Sequence, residues 1–452
     1  MPQPARRKLS LLDATMLVMG AILGVGIFFN PGEVASLVPH PAAFLGTWGI
    51  GGLIALTGAF TFAELGATFP HAGGWFVYLR EMYGRPIAFL LAWVVLFVIS
   101  TGALAVMCGF GASMLAVAFP SIGEAGGAAQ RAVSVAMILA MTIVALGGAK
   151  VGATAQNVVM LIKVLVVLVL ITAGLLFFSP DGSSAPLAAA PQPDGRPLWQ
   201  GMTVAMLPIL FSCGGWTLVG YLSSEIDDAP RNLPRAIIIG VTAVMILYFL
   251  LNTTYIRVVG LEYMAANPFT FAGEVAARSY GPGGAKALSV AMAISALGVC
   301  AVTIITTPWL YVAMAREGLF FDSFAKLHAR TGAPTFGLLL QAAIAILYVF
   351  IAGTNFLVNS VVFAEWIFHV LAAFGLLALR AKRPDLPRPF RSFAYPLMPL
   401  VYGIFAIGVV AGNLWQSEAK MTMTGLGVLA VGAVVYPLWR RFISARGVPS
   451  GT

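Results

Sequence analysis

The chain has 452 residues, of which 60% are hydrophobic and only 10% charged. Soluble globular proteins carry about 25% charged residues, so no water-soluble packing hides this much apolar surface, and the bilayer must be the solvent. The formal charge of +9 is not a nucleic-acid signature, because the basic residues lie between apolar runs, where they report membrane topology.

A helix needs roughly 20 apolar residues to cross about 30 Å of hydrocarbon. Twelve such spans are predicted, at 11–37, 42–68, 86–117, 131–148, 154–178, 200–222, 236–259, 286–315, 335–352, 357–379, 394–414 and 422–442. The basic and then apolar start has no small-residue cleavage site, so it reads as a retained first span and not as a signal peptide. Lys and Arg gather at 1–10, 69–85, 149–153, 223–235, 316–334, 380–393 and 443–452. By the positive-inside rule these segments, both termini included, are expected in the cytoplasm. Cys108, Cys213 and Cys300 all lie in apolar stretches, an odd and buried set that argues against a disulfide framework. The sequon at Asn252 falls within a span, so it reads as a chance match.

Two spans carry breaking signals at their middles. The first contains Gly20, Gly24 and Gly26 with Pro31 following; the sixth contains Pro208 ahead of Gly214 and Gly215. Glycine is a poor helix residue, and an internal proline removes a hydrogen bond and clashes with the preceding turn. Unwinding in lipid is tolerated only where protein or ligand satisfies the released backbone groups. The first span opens spans one to five, and the sixth opens six to ten. Breaks at equivalent positions of two five-span halves mark an inverted-repeat transporter with its substrate at the midplane. The competing reading is close helix packing through a small-xxx-small pattern. The chemistry of paired breaks suits an amino acid. Exposed amides of one break bind a carboxylate, and carbonyls of the other accept from an ammonium.

Several segments then resemble one family, the amino acid–polyamine–organocation superfamily, in its L-type amino acid transporter branch with bacterial relatives. They are GAILGVGIFFNP (20–31), FAELGATFPHAGGWFVYLREMYG (62–84), FSCGGW (211–216), SSEIDDAPRNLPRAI (223–237), AREGLFFDSFAKLHARTGAPTF (315–336), FAEWIF (363–368) and LRAKRPDLPRPF (379–390). The resemblance implies an all-α integral membrane fold of twelve transmembrane helices, a LeuT-like five-plus-five inverted repeat plus two C-terminal helices, with helices one and six discontinuous. The organisation expected is a tail at 1–10, a first repeat at 11–178, a second at 200–379, two further helices at 394–442 and a tail at 443–452. It implies alternating access, with no cofactor and no metal.

By motif match, the amides of Gly24, Val25 and Gly26, with Ile27 beside them, would meet the substrate carboxylate. Phe211 would be the aromatic gate, followed by Ser212. Cys213, Gly214 and Gly215, with Trp216 next, would receive the amino group or border the side-chain pocket. The chain departs from the family's pattern at Val25, where serine is usual. It departs again at Cys213 and Gly214, where tyrosine and sometimes aspartate stand. These changes remove a hydroxyl and enlarge the pocket. Mammalian members of the branch often pair with a heavy chain through a cysteine in the third-to-fourth-helix loop. Residues 118–130 contain none, so no disulfide-linked partner is expected, and the working form is expected to be a monomer or homodimer. The location expected is the plasma membrane, as a multi-pass bacterial inner-membrane protein.

Some charged residues lie where lipid penalises them. A lysine at a helix centre costs about 2.5–3.5 kcal/mol on insertion scales, so Lys163 needs a partner or a role unless it snorkels to an interface. By the resemblance, Lys163 takes the region where sodium-coupled relatives bind an ion. It would bridge helix-one carbonyls to the hydroxyls of Thr303, Thr306 and Thr307, and transport would be sodium-independent. Glu365 and His369 share a helix face at i,i+4. They form a proton-sensitive pair, a reader of the substrate side chain, or a structural pair. Glu64 is expected to cap or gate near the inner end of helix two. Within 223–235, Glu225 and Arg231 are candidates for an inner gate in a segment that otherwise reads as a solvated turn.

Other classes find less support. No HExxH, G-x-S-x-G or G-x-x-x-x-G-K-[ST] motif is present, which speaks against an intramembrane enzyme or an ATP-driven pump. No repeated pore loop suggests a channel. The third, sixth and eighth spans contain no Asp or Glu, which favours a neutral amino acid, with a cationic amino acid or polyamine carrier using Glu365, or a proton symporter, as the alternatives.

Overall fold

The structure, a computed structural model, describes residues 8–124, 126–177, 195, 197–351, 354–416 and 419–445. It is helical throughout: among the described residues the one β-type contact is the isolated bridge between Leu9 and Ile226. In chain order the helices are α1 (Leu11–Ile22), α2 (Asn30–Leu37), α3 (Pro41–Thr68), α4 (Trp75–Tyr83), α5 (Arg85–Val94) and α6 (Ser100–Ala118). There follow α7 (Ala128–Leu146), α8 (Ala149–Thr172), α9 (Leu198–Ser212), α10 (Ala229–Val258), α11 (Gly260–Ala266) and α12 (Phe271–Tyr280). The last are α13 (Pro282–Thr306), α14 (Pro308–Arg316), α15 (Thr335–Ile351), α16 (Thr354–Lys382), α17 (Leu397–Gln416) and α18 (Ala419–Ala445). A π-helical turn at Val95–Ile99 joins α5 to α6.

Among the described residues, 8 helices are long and apolar enough to cross a membrane, and three shorter apolar helices begin at Leu11, Thr335 and Leu397. The chain is therefore a multi-pass membrane protein. The first predicted span is not one helix. α1 ends at Ile22, a 3-10 turn spans Gly26–Phe28, and α2 resumes at Asn30.

The sixth span also breaks, but not at its proline. Pro208 stays inside α9, which runs on to Ser212; Cys213–Gly215 leave the helix, and a 3-10 stretch covers Trp216–Glu225. The reason lies at Gly215. Its φ is +96°, and a Cβ there would stand 2.8 Å from the Ala21 carbonyl oxygen. Only glycine allows both that conformation and that approach to α1.

Three helices were not legible as spans. α4 lies in the predicted 69–85 loop, and α11 and α12 lie between the seventh and eighth spans. They are short, 7 to 10 residues, so a search for membrane-length apolar runs passes over them. The interior is built by α6 packed along α13 and by α3 along α10, with α1 between α8, α10 and α13.

Candidate functional site

The first break exposes backbone groups that must find partners in a bilayer. Its carbonyls find them in side chains. The Lys163 ammonium, from α8, donates to the carbonyls of Gly20 at 3.1 Å and Leu23 at 2.7 Å. The Ser295 hydroxyl, from α13, donates to the same Leu23 carbonyl at 3.3 Å. The Tyr248 hydroxyl, from α10, stands 2.7 Å from the Ile22 carbonyl and 3.2 Å from that of Ser212. One phenol thus touches the last turn before each break. All three side chains are buried.

The donors of the break are disposed differently. The Gly24 amide, predicted to face a ligand, turns back to the Ile22 carbonyl at 2.6 Å, so it is engaged within the chain. This corrects the expectation of three open amides, and the cause is the tight turn that follows α1. Among the described residues, the Val25 and Gly26 amides make no backbone hydrogen bond. Val25 and Ile27 point their side chains inward, with 6% and 0% exposure.

At the second break, Cys213 donates its amide to Ile209 and Gly214 to Phe211. The carbonyls of Cys213 and Gly214 accept no backbone hydrogen bond among the described residues. Cys213 and Trp216 are buried, whereas Phe211 is 38% exposed on the last turn of α9. Asn30, at the start of α2, spans the two breaks. Its amide nitrogen donates to the Pro208 carbonyl at 2.9 Å and the Ser212 hydroxyl at 2.6 Å.

Lys163 reaches the carbonyls of the first break, but the threonines expected to join it there do not. The hydroxyls of Thr303 and Thr306 bond the carbonyls of Val299 and Val302 in their own helix. Thr307 is buried with its hydroxyl unpartnered. The hydroxyl beside the ammonium is Ser295, two turns nearer the start of α13. The register of α13 turns the threonines into their own helix and brings Ser295 to the Leu23 carbonyl. Gly298 makes the approach possible, since a Cβ there would lie 2.6 Å from Lys163 Cε.

Glu64 is wholly buried and multiply paired. Arg380 reaches it at 2.7 and 2.5 Å, the Ser392 amide at 2.7 Å, and Arg388 Nε lies 3.6 Å away. The carboxylate therefore anchors α3 to the end of α16 and the segment after it. Nearby, Glu81 on α4 is bound by Arg80 at 2.8 Å and Arg383 at 3.0 Å. Burial by itself would push the Glu81 carboxyl up; the two guanidinium groups outweigh it and hold it below the usual carboxylate range. Arg80 also pairs with Glu317 at the end of α14.

The expected inner-gate pair is not brought together directly. Arg231 meets Asp228 at 3.7 Å on its own turn, both well exposed. The Glu225 backbone carbonyl accepts the Leu9 amide at 2.7 Å, and Asp227 donates back to Leu9 at 2.9 Å. Glu365 and His369 do share one face of α16, with Oε1 to Nε2 at 3.8 Å. Two apolar cavities of about 120 and 460 Å³ open elsewhere, and neither is lined by a residue of the breaks. Among the described residues no cluster of His, Cys, Asp and Glu is arranged to hold a metal.

Sequence reasoning missed Tyr248, Ser295 and Asn30. Tyr248 and Ser295 lie in spans that carry several other polar side chains, so nothing in the sequence singles them out.

The profile described as amino acid permease matches residues 9–436. The b(0,+)-type amino acid transporter 1 of Mus musculus is 27% identical over 427 residues, covering 91% of this chain and 84% of that protein. Large neutral amino acids transporter small subunit 2 of Homo sapiens is 27% identical over 444 residues, covering 95% and 80%. The serine/threonine exchanger SteT of Bacillus subtilis (strain 168) is 26% identical over 449 residues, covering 96% and 98%.

Proposed function

Because the chain belongs to the amino acid permease family and is a transporter rather than an enzyme, we propose that it moves neutral L-amino acids by alternating access, without sodium. The observation that carries this reading is the pair of breaks. Two amides, at Val25 and Gly26, and two carbonyls, at Cys213 and Gly214, are left without backbone partners. Together they match the two ends of a zwitterion. Lys163 supports the sodium-independent part, because a fixed ammonium already holds helix-one carbonyls that a cation would otherwise need to satisfy.

In this reading the chain has twelve spans in a five-plus-five inverted repeat with two added helices, and both termini are cytoplasmic. The positive-inside bias supports that orientation. Phe211 closes over the substrate. The protein works in a bacterial inner membrane as a monomer or homodimer, with no disulfide-linked heavy chain. The names of the relatives include neutral-amino-acid carriers and a serine/threonine exchanger, which supports a neutral substrate and exchange.

Glu365 favours a second reading, a carrier of cationic amino acids or a proton symporter, since it places a carboxylate beside an imidazole within the bundle. Uptake into proteoliposomes over all twenty amino acids separates the two. It is to be measured with and without internal substrate, a sodium gradient and a pH gradient. Saturable, sodium-indifferent uptake of neutral amino acids supports the first reading. Uptake confined to arginine, lysine or polyamines, or driven by sodium, overturns it.

A further inference from the structure

His369 occupies the most heavily built polar position in α16. Its imidazole is buried, and five rings surround it. Trp75 lies at 4.5 Å, Trp366 at 5.0 Å, Phe62 at 5.6 Å, Tyr402 at 5.7 Å and Trp216 at 5.9 Å between centroids. Its Nδ1 lies 2.7 Å from the Tyr402 hydroxyl, and its Nε2 faces Glu365.

This arrangement accepts two charge states. When Tyr402 donates to Nδ1, a neutral ring carries its proton on Nε2, toward Glu365. When the ring is protonated, Nδ1–H donates to the Tyr402 oxygen and Nε2–H points to the carboxylate, with aromatic faces around the cation. The change needs only rotation of one hydroxyl.

Glu365 supplies the outlet. Its side chain is 24% exposed, against 7% for His369. The 3-10 stretch after the second break, Trp216–Glu225, begins beside the pair. Trp216, the first residue of that stretch, packs on the imidazole. The pair therefore looks toward the second break. The titratable groups around it are Tyr221, Tyr402 and, beyond Phe62, Tyr78 of α4. Glu64 of α3 is taken by Arg380 and Arg388. Among the described residues no lysine or arginine stands within ion-pair distance of Glu365.

We propose that His369 is a specificity-determining residue whose protonation sets the net charge of the Glu365–His369 pair, and with it the choice between neutral and cationic amino acids. The inference rests on the carrier reading. With the imidazole protonated, the pair is neutral overall and a neutral side chain is preferred. With it deprotonated, one negative charge remains, and a cationic side chain gains attraction. Imidazole is the side chain that changes charge between about pH 5 and 8. The ratio of arginine to leucine uptake therefore rises with pH, on the order of tenfold for one charge at site range.

The test is that ratio in proteoliposomes across this pH window, for the wild type, His369→Asn, Glu365→Gln and Tyr402→Phe. Taking a ratio cancels differences in protein amount. Asn retains an acceptor for Tyr402, so His369→Asn is expected to hold the ratio at its high-pH level throughout. Glu365→Gln is expected to lower the ratio at every pH while a slope remains, because the imidazole still changes charge by one. Tyr402→Phe should keep a slope but shift its midpoint. A wild-type slope surviving in His369→Asn overturns the proposal, as does wild-type transport of leucine with no arginine at any pH. If His369→Asn does not fold, a Glu365→Gln ratio equal to that of wild type across the window overturns it equally. A wild type that transports no amino acid refutes the carrier reading instead.

Discussion

The Lys163 ammonium stands 2.7 Å from the carbonyl oxygen of Leu23, the residue that caps the C-terminal end of α1. A charge buried in a membrane helix is thus used to complete the backbone of another helix. Removing it with Lys163→Ala leaves the Gly20 carbonyl without this donor and Leu23 with only Ser295. Substrate uptake is expected to fall at least tenfold, with a loss of about 1–3 kcal/mol for each group left unpaired. Wild-type uptake should be the same in sodium and choline buffers. If wild type and Lys163→Ala both gain from a sodium gradient, the role assigned to Lys163 is wrong.

Tyr248 ties the two breaks through one hydroxyl. Tyr248→Phe keeps the ring, its packing against Trp48 and its volume, and deletes only the donor. The expected result is a rise in KM with a modest loss of stability, about 1–2 kcal/mol. Thermal melts in detergent, with and without substrate, measure both parts. Unchanged KM with unchanged melting would show that the phenol is not needed to hold the breaks together.

The buried Glu64 carboxylate answers two half-buried guanidinium groups and a backbone amide. Glu64→Gln leaves Arg380 and Arg388 uncompensated, and one-sided removal of a buried pair costs about 3–5 kcal/mol. A large drop in melting temperature is expected, whatever the substrate. If Glu64→Gln melts like wild type but loses transport, the residue is a gate and not an anchor.

Glu81 gives a pH dependence of definite sign. Its folded carboxyl titrates below its ordinary value of 4.5. Its stabilising contribution is therefore complete above that value and is lost as pH falls through the depressed folded one. Melting temperature followed from neutral pH into the acid range should decline less steeply in Glu81→Gln than in wild type. An identical acid limb would mean that the ties to Arg80 and Arg383 contribute nothing to stability.

Membrane residence, the order of the long apolar helices and the existence of two glycine-rich breaks are legible in the chain itself. They depend on composition and on local backbone preference, which act over a few turns. Gly24, Gly26, Gly214 and Gly215 announce where a helix weakens, and the structure opens it close by. The proline misleads because a proline within a helix removes one hydrogen bond without having to end the helix. Helix α9 carries Pro208 inside it and ends only at Ser212, just ahead of Gly214 and Gly215.

The partners of the breaks belong to tertiary structure alone. Ser295, and not the threonines at 303–307, meets the Leu23 carbonyl because of the rotational setting of α13 against α1. Tyr248 reaches both breaks because α10 runs alongside α1. The ring cage of His369 assembles residues from α3, α4, α16, α17 and the stretch after the second break. Hydrophobic periodicity says which face of a helix is buried, but not which neighbour it meets, and hydrogen bonds that complete a broken backbone depend on that neighbour. The chain by itself determined that this protein lives in a bilayer and where its helices weaken. Packing decided what fills the weakness, because released carbonyls in lipid must be matched by whichever donors the assembled bundle brings within about 3 Å.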